Sequence, residues 1–223
     1  ALKRVDRLYA ELDQRGFTHF RPHVWLSTEW FTPDGVPGIA VPFYLAHPRL
    51  TKLEKQQMYQ AEGAAEDACL RILRHEAGHA IDNAYRLHRR KAYREHFGRF
   101  GQKYPDYYQP KPYSKRYVYN LRGWYAQAHP AEDFAETFAV WLKPDSRWKS
   151  RYARWPAMKK LETIDAMMSD IAGQTPPVRS RRRYESLATI TQTLGDYFAQ
   201  KKERYAGNCP DVYDRELKML FAE

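Results

Sequence analysis

The chain has 223 residues, 43% of them hydrophobic, which is enough for one substantial core. Its net charge of +10 favours anionic partners such as nucleic acid, although the scattered basic residues suit an ordinary solvated surface better. Two cysteines, Cys69 and Cys209, exclude a disulfide framework and a cysteine zinc site, while a single bridge between them stays open. No apolar run has transmembrane length and the first residues lack a signal-peptide pattern, so we predict a cytoplasmic protein with no membrane partner.

The first predicted element is an amphipathic helix over residues 1–15, where apolar residues recur at helical spacing. From residue 17 to 50 the chain changes to short aromatic and β-branched runs, broken by the turn sequence PDGVPG. This pattern predicts a small antiparallel β-element. Helices are then expected over residues 50–60, with Thr51 as N-cap, and over residues 64–90.

The second half begins with residues 98–125, which have little periodicity and are predicted to form a long ordered loop of the kind that is often functional. A helix is expected to start at Pro130, with His129 as its cap, and to end before Pro144. Two further helices are predicted, over residues 156–172 and 182–204. The sequence TPPVRSRRR between them is typical of a linker or hinge.

The main chemical signal is the motif His75-Glu76-Ala77-Gly78-His79. On a helix, positions i and i+4 share one face, so both imidazoles can reach one metal ion. Glu76 can then accept a proton from a water on that metal. An exposed helix face with two solvated histidines is the plain alternative, but the apolar neighbours Ile72 and Ile81 favour a partly buried helix.

A catalytic zinc site needs a third protein ligand. The place six residues after His79, where some zinc enzymes carry another histidine, is Tyr85. Asp82 could face the same way, but we expect it to be a capping residue or to support a ligand from behind.

A better third ligand lies in the predicted helix that begins at Pro130. Glu132 and Glu136 share one face of this helix, and two partly buried carboxylates are costly unless something positive pairs with them. We predict that Glu132 binds the metal and that Glu136 accepts the free N–H of a ligating histidine. Asp133 is expected to cap the helix or to meet solvent. The alternative is an acidic first turn that complements the helix dipole, which would not explain Glu136.

The segments VPFYLAHPRL, LRHEAGHAIDNAYRL, YAQAHPAEDFAETFAVWL and WPAMKKLE resemble a bacterial family of zinc-binding metallopeptidases. The resemblance extends from Ile39 to about Leu161. More distantly, HEAGH with EDFAE resembles the gluzincin arrangement of the anthrax lethal factor group. There a glutamate on a second helix is the third ligand, a glutamate four residues later supports a histidine, and a tyrosine seven residues before the ligand faces the metal. Here these places are Glu132, Glu136 and Tyr125.

The resemblance implies an α+β, mainly helical, zincin-like metallopeptidase fold that binds one zinc ion per chain. We expect this domain to span residues 1–175, with residues 176–223 as a C-terminal helical extension packed on it. Tyr125 would stabilise the oxyanion of the reaction. A packed loop aromatic is the plain alternative for Tyr125, and His129 is a nearby alternative donor. Zincins bind an extended peptide beside an edge strand, and residues Ile39–Leu45 are the candidate for that strand, because Pro42 suits an edge. A plain core strand with its proline at one end is the alternative.

Three functions therefore compete. The first is a zinc metallopeptidase acting on peptide or protein. The second is a zinc protease associated with nucleic acid, motivated by the net charge of +10 and by the arginines between Arg179 and Arg183. The third is a non-catalytic module with structural zinc. Glu76 argues against the third function, because a structural site has no use for a general base.

Overall fold

The computed structural model describes residues 2–105 and 108–207. It confirms the predicted α+β, mainly helical class. The elements in chain order are α1 (Leu2–Gln14), β1 (His23–Ser27), β2 (Gly38–Pro42), α2 (Pro48–Met58), α3 (Glu66–Tyr85), α4 (Lys91–His96), α5 (Pro130–Leu142), α6 (Trp148–Arg151), α7 (Met158–Ile171) and α8 (Leu194–Gly207). Short 3₁₀ turns occupy Phe43–Ala46, Leu87–Arg89, Arg122–Gln127 and Leu187–Thr189. Within the described ranges, no helix has the length and apolar character needed to cross a membrane.

The two strands run parallel, so the prediction of an antiparallel element is wrong. Their register pairs His23 with Gly38. The turn at residues 33–37 folds the chain back antiparallel to Phe31, and the N–H of Ala40 donates to the carbonyl of Phe31 at 2.9 Å. Antiparallel pairing therefore occurs at this isolated bridge, on the side of β2 that faces away from β1.

The start of α2 also differs from its prediction. The helix begins at Pro48, and its cap is His47, whose Nδ1 accepts from the N–H of Arg49 at 3.1 Å. Thr51, the predicted cap, lies inside the helix and donates its hydroxyl to the carbonyl of Tyr44 at 2.7 Å. A proline fits the first helical turn because its missing N–H has no helical acceptor there.

The helix predicted over residues 182–204 is shorter than expected, because α8 begins at Leu194. The residues before it offer their carbonyls to side chains of β1 instead of to helical N–H groups. The indole of Trp25 donates to the carbonyl of Tyr184 at 2.8 Å, and the hydroxyl of Ser27 donates to the carbonyl of Glu185 at 2.7 Å.

Helix α8 packs on the first half of the chain through a buried lysine. The Nζ atom of Lys201 lies 3.0 Å from Glu29 Oε1 and 2.9 Å from Glu54 Oε1, and the neighbouring Tyr197 and Phe198 join the core. The proposed division into residues 1–175 and 176–223 stays a prediction. Residues 208–223, which include Cys209, lie outside the described part of the chain.

Helix α3 is the central element, and α1 is fixed to it by a buried ion pair. Both oxygens of Glu11 accept from the guanidinium of Arg74, each at 2.7 Å, and both side chains are less than 5% exposed. Paired, bidentate hydrogen bonds are what make a buried charge pair tolerable.

Helix α3 also lies very close to α5. A Cβ atom at Gly78 would lie 2.8 Å from the Cα of Ala135, a distance that real Cβ atoms do not reach. Glycine at this position therefore lets the two helix backbones approach each other. The small residues inside the histidine motif serve close helix packing.

We predict that Gly78→Ala lowers the free energy of unfolding by about 1–3 kcal/mol, because the added methyl group meets backbone that cannot move aside. Urea denaturation of the purified variant measures this change. Gly195→Ala in α8 is the matched control, since its Cβ would meet its nearest atom, Thr193 Oγ1, at 3.7 Å. Equal stability losses in the two variants would contradict the prediction.

We also predict that Glu11→Gln lowers the free energy of unfolding by about 3–5 kcal/mol, because it leaves the charge of Arg74 buried without a counter-charge. Asp170→Asn breaks an exposed pair with Arg90 and should change stability by at most about 1 kcal/mol. Chemical denaturation measures the free energy of unfolding of both variants. A loss of at most about 1 kcal/mol in Glu11→Gln, as in Asp170→Asn, would contradict the prediction for the buried pair.

Candidate metal centre

The two histidines of the motif project from one face of α3 toward α5. His75 is buried and His79 is half-buried, and their ring centroids are 4.8 Å apart. Their Nε2 atoms lie 3.1 Å from each other. The i, i+4 spacing thus directs two nitrogen atoms to one point, as the sequence predicts.

Glu132 reaches the same point from the first turn of α5. Its Oε2 atom lies 3.0 Å from His75 Nε2 and 3.3 Å from His79 Nε2. Among the described residues these three side chains form the group that could hold a metal ion. The structure therefore brings together the three residues predicted as ligands.

Glu136, one turn further along α5, holds the opposite side of the His75 ring. Its Oε1 atom accepts from His75 Nδ1 at 2.9 Å and from the Asn120 amide at 2.8 Å, and its Oε2 atom accepts from the N–H of Leu121 at 2.8 Å. With a proton on Nδ1, the Nε2 atom of a neutral His75 carries a lone pair directed at Glu132.

These contacts suit a divalent cation. Ligand atoms around a tetrahedral zinc ion lie about 3.3 Å apart, since zinc–nitrogen and zinc–oxygen distances are about 2.0–2.1 Å. The separations of 3.0, 3.1 and 3.3 Å at this centre are close to that value. Two imidazole nitrogens and a carboxylate oxygen are also donors that zinc prefers, and three protein ligands leave a fourth position open.

The hydrogen bonds between these side chains raise the pKa of His75 and lower the pKa of Glu132. Burial opposes protonation of His75, but its hydrogen bonds to Glu132 and Glu136 outweigh that effect and raise its pKa to about 10. Burial would likewise raise the pKa of Glu132, yet the hydrogen bonds from both imidazoles hold it well below its usual range. A positive charge at the centre, whether a proton or a metal ion, is what these groups require.

Glu76 lines the same cleft and is buried, at 7% exposure. Its Oε2 atom has no hydrogen-bond partner among the described residues. An unpartnered buried carboxylate oxygen is costly, so this atom is suited to a water molecule or a substrate N–H.

The ring of Tyr125 lies next to the His75 ring, with ring centroids 5.7 Å apart. Burial, together with the charges of Glu132 and Glu76, raises the pKa of its phenol, which therefore remains a donor. The two residues before it, Gly123 and Trp124, both have a positive φ, at 75° and 53°. A tryptophan in this region is strained, and such strain often marks functional sites.

Two other predicted residues have different contacts. Asp82 accepts from the N–H and the ring Nδ1 of His88, at 2.7 and 2.9 Å, and so fixes the turn that ends α3. Asp133 was expected to cap α5 or to meet solvent, and this expectation is wrong. It is 3% exposed and pairs with Lys160, and burial raises its pKa to about 7 despite that lysine.

Sequence reasoning missed the contacts that the long loop makes with the centre. The hydroxyl of Tyr104 donates to Glu132 Oε1 at 2.7 Å, and Asn120 donates to Glu136. Both residues lie in a stretch without periodicity, so no pattern in the sequence could have singled them out. The predicted cap of α5 is present, since His129 Nδ1 accepts from the N–H of Ala131 at 3.1 Å.

The centre lies in a cleft of about 1070 Å³. Its lining includes Trp30, Phe31 and Thr32, together with Tyr104 and Tyr125. No residue from 39 to 45, all of which the structure describes, lines this cleft, and all five residues of β2 are buried. The arginines from residue 179 to 183 also lie outside it.

The comparisons with known proteins agree with this geometry. Residues 52–171 match the family described as "Putative zinc-binding metallo-peptidase". No curated protein and no solved structure matches the chain, so the distant likeness to the lethal factor group stays a prediction. The match covers more than half of the chain and contains every residue of the candidate centre, and the chain therefore belongs to this zinc-binding metallopeptidase family.

Proposed function

We propose that this protein hydrolyses peptide bonds at a single zinc ion held by His75, His79 and Glu132. The observation that carries the proposal is the convergence of three ligand atoms, 3.0–3.3 Å apart, beside the unpartnered carboxylate of Glu76 in an open cleft. A structural zinc site would be closed by a fourth protein ligand and would not need that carboxylate. When bound, the ion would act as a Lewis acid that polarises a carbonyl and brings the pKa of water to about 7.

Glu76 is the general base in this proposal. Its free Oε2 atom takes a proton from the attacking water and passes it to the nitrogen of the leaving amine, which converts an amide nitrogen into a better leaving group. Burial restricts bulk water around the carboxylate, so the proton passes between the two reactants rather than into solvent.

Tyr125 is the donor for the oxyanion. Attack on a peptide carbonyl places negative charge on its oxygen, and a phenol O–H directed at that oxygen stabilises the charge. None of the described residues forms a hydrogen bond with the Tyr125 hydroxyl, and the phenol stays protonated because its pKa is raised. The strained turn before it holds the ring against His75 before substrate arrives.

The substrate lies extended along residues 30–34 rather than along Ile39–Leu45. The carbonyl of Phe31 is used by Ala40 of β2, so the backbone groups of Trp30 and Thr32 face the other way, as alternate residues do in an antiparallel bridge. Both residues line the cleft, and Thr32 Oγ1 donates to the carbonyl of Glu76 at 3.2 Å. A peptide paired with this segment would pass the metal centre.

We expect Glu76→Gln to lower peptide hydrolysis by about 10²–10⁴-fold, because the amide cannot accept the proton. Zinc content should stay at one ion per chain. A peptide-library digest, run with and without a chelator, measures the activity, and elemental analysis measures the metal. Glu95→Gln, on an exposed surface pair, is the matched control. Full activity of Glu76→Gln, or activity that survives complete zinc removal, would refute the proposed function.

We expect Tyr125→Phe to lower kcat/KM by about 10²–10³-fold while zinc affinity remains at the parent value, because the change removes an oxyanion donor and no ligand contact. Tyr113→Phe, at a side chain that is 84% exposed, controls for loss of a tyrosine hydroxyl. Steady-state kinetics and zinc titration separate the two quantities. Parent-like kcat/KM in Tyr125→Phe would remove this residue from the mechanism.

A further inference from the structure

The loop between α4 and α5 contributes a second phenol to the centre, and the proposed mechanism leaves it unused. The hydroxyl of Tyr104 lies 2.7 Å from Glu132 Oε1, while Glu132 Oε2 faces the two histidines. The two oxygens of the metal-binding carboxylate therefore have different partners. Oε2 is directed at the two histidines, and Oε1 is held by the loop.

The different partners of the two oxygens determine how many coordination positions of a metal ion the Glu132 carboxylate can occupy. A glutamate can bind a metal ion through one oxygen or through both, and a second bound oxygen would raise the coordination number to five and crowd the position that water needs. A donor fixed on Oε1 competes with that second bond. It also restricts rotation of the carboxylate about its last side-chain bond, so that Oε2 stays in line with the imidazoles.

Tyr104 is itself held by the cap of α5 and not by the loop alone. Its ring stacks on the imidazole of His129, with centroids 3.8 Å apart and an interplanar angle of 11°. His129 Nε2 lies 2.8 Å from the carbonyl of Gln102, and His129 Nδ1 accepts from the N–H of Ala131. The helix cap, the loop and the metal ligand thus form one connected set of contacts.

The two tyrosines of the cleft have separate roles for this reason. The Tyr104 hydroxyl is already donated to Glu132, whereas the Tyr125 hydroxyl has no hydrogen-bond partner among the described residues. Tyr104 cannot serve the oxyanion without releasing the metal ligand.

We propose that Tyr104 is a positioning residue that keeps Glu132 bound to the metal through a single oxygen, and so keeps a coordination position open for water. This inference rests on the proposed function, because it concerns the same zinc centre. It also links the loop at residues 98–105 to metal binding, since the loop must be closed on α5 for the hydrogen bond to form.

The test is Tyr104→Phe, which removes the hydroxyl and keeps the ring that stacks on His129. We expect the zinc Kd to rise by about 10–100-fold, the usual effect of losing a hydrogen bond to a ligand. We also expect the visible spectrum of the cobalt-substituted protein to weaken toward that of a five-coordinate ion, because Glu132 can then bind through both oxygens. A residue with only a structural role would not change the coordination number of cobalt.

Controls separate this proposal from the proposed function and from misfolding. Tyr104→Ala also loses the stacked ring and should weaken zinc at least as much, while Tyr113→Phe should leave both zinc affinity and the cobalt spectrum unchanged. Zinc Kd within twofold of the parent and an unaltered cobalt spectrum in Tyr104→Phe would overturn the assignment. Both readouts are independent of turnover, so an inactive parent would refute peptide hydrolysis without deciding the role of Tyr104.

Discussion

The structure depends on the close approach of α3 and α5 at Gly78. Each helix carries half of the centre, with two imidazoles on one and two carboxylates on the other. Hydrogen-bond distances between these side chains require the helix backbones to be nearly in contact, and the 2.8 Å between a hypothetical Cβ of Gly78 and the Cα of Ala135 shows that they are. Packing of the smallest residue against a backbone thus determines whether the ligand atoms converge.

The convergence of the ligand side chains has an electrostatic cost, and different partners offset this cost at Glu132 and at Glu136. Glu132 and Glu136 are both buried, and a carboxylate removed from water needs a positive or hydrogen-bonding partner. Glu136 is saturated by three donors that the chain supplies itself. Glu132 receives one donor from Tyr104 and directs its other oxygen at the histidines, where a cation completes the balance. The centre therefore requires a positive charge at this point, either a proton or a metal ion.

Sequence reasoning recovered the parts of the centre that follow helical periodicity. His75 with His79, and Glu132 with Glu136, are each four residues apart, so one face of a helix fixes their directions before any tertiary contact is known. It failed where tertiary contacts decide. Phe31 takes the antiparallel place beside β2, and Lys160 from a distant helix neutralises Asp133. Tyr104 acts from a loop whose path no local pattern encodes.

The Glu11–Arg74 pair shows that α1 and α3 must be kept together in any fragment of this protein. The family match begins at residue 52, yet α1 supplies the counter-charge for an arginine on the helix that bears both histidines. Arg4 of the same helix also donates to the carbonyls of Gly63 and Ala64, in a segment that lines the cleft. A fragment that begins at the family boundary would expose the side of α3 that packs on α1 and would leave the guanidinium of Arg74 without its counter-charge. Recombination or gene fusion that is meant to preserve the proposed chemistry must therefore carry the amino-terminal helix along with the segment that matches the family.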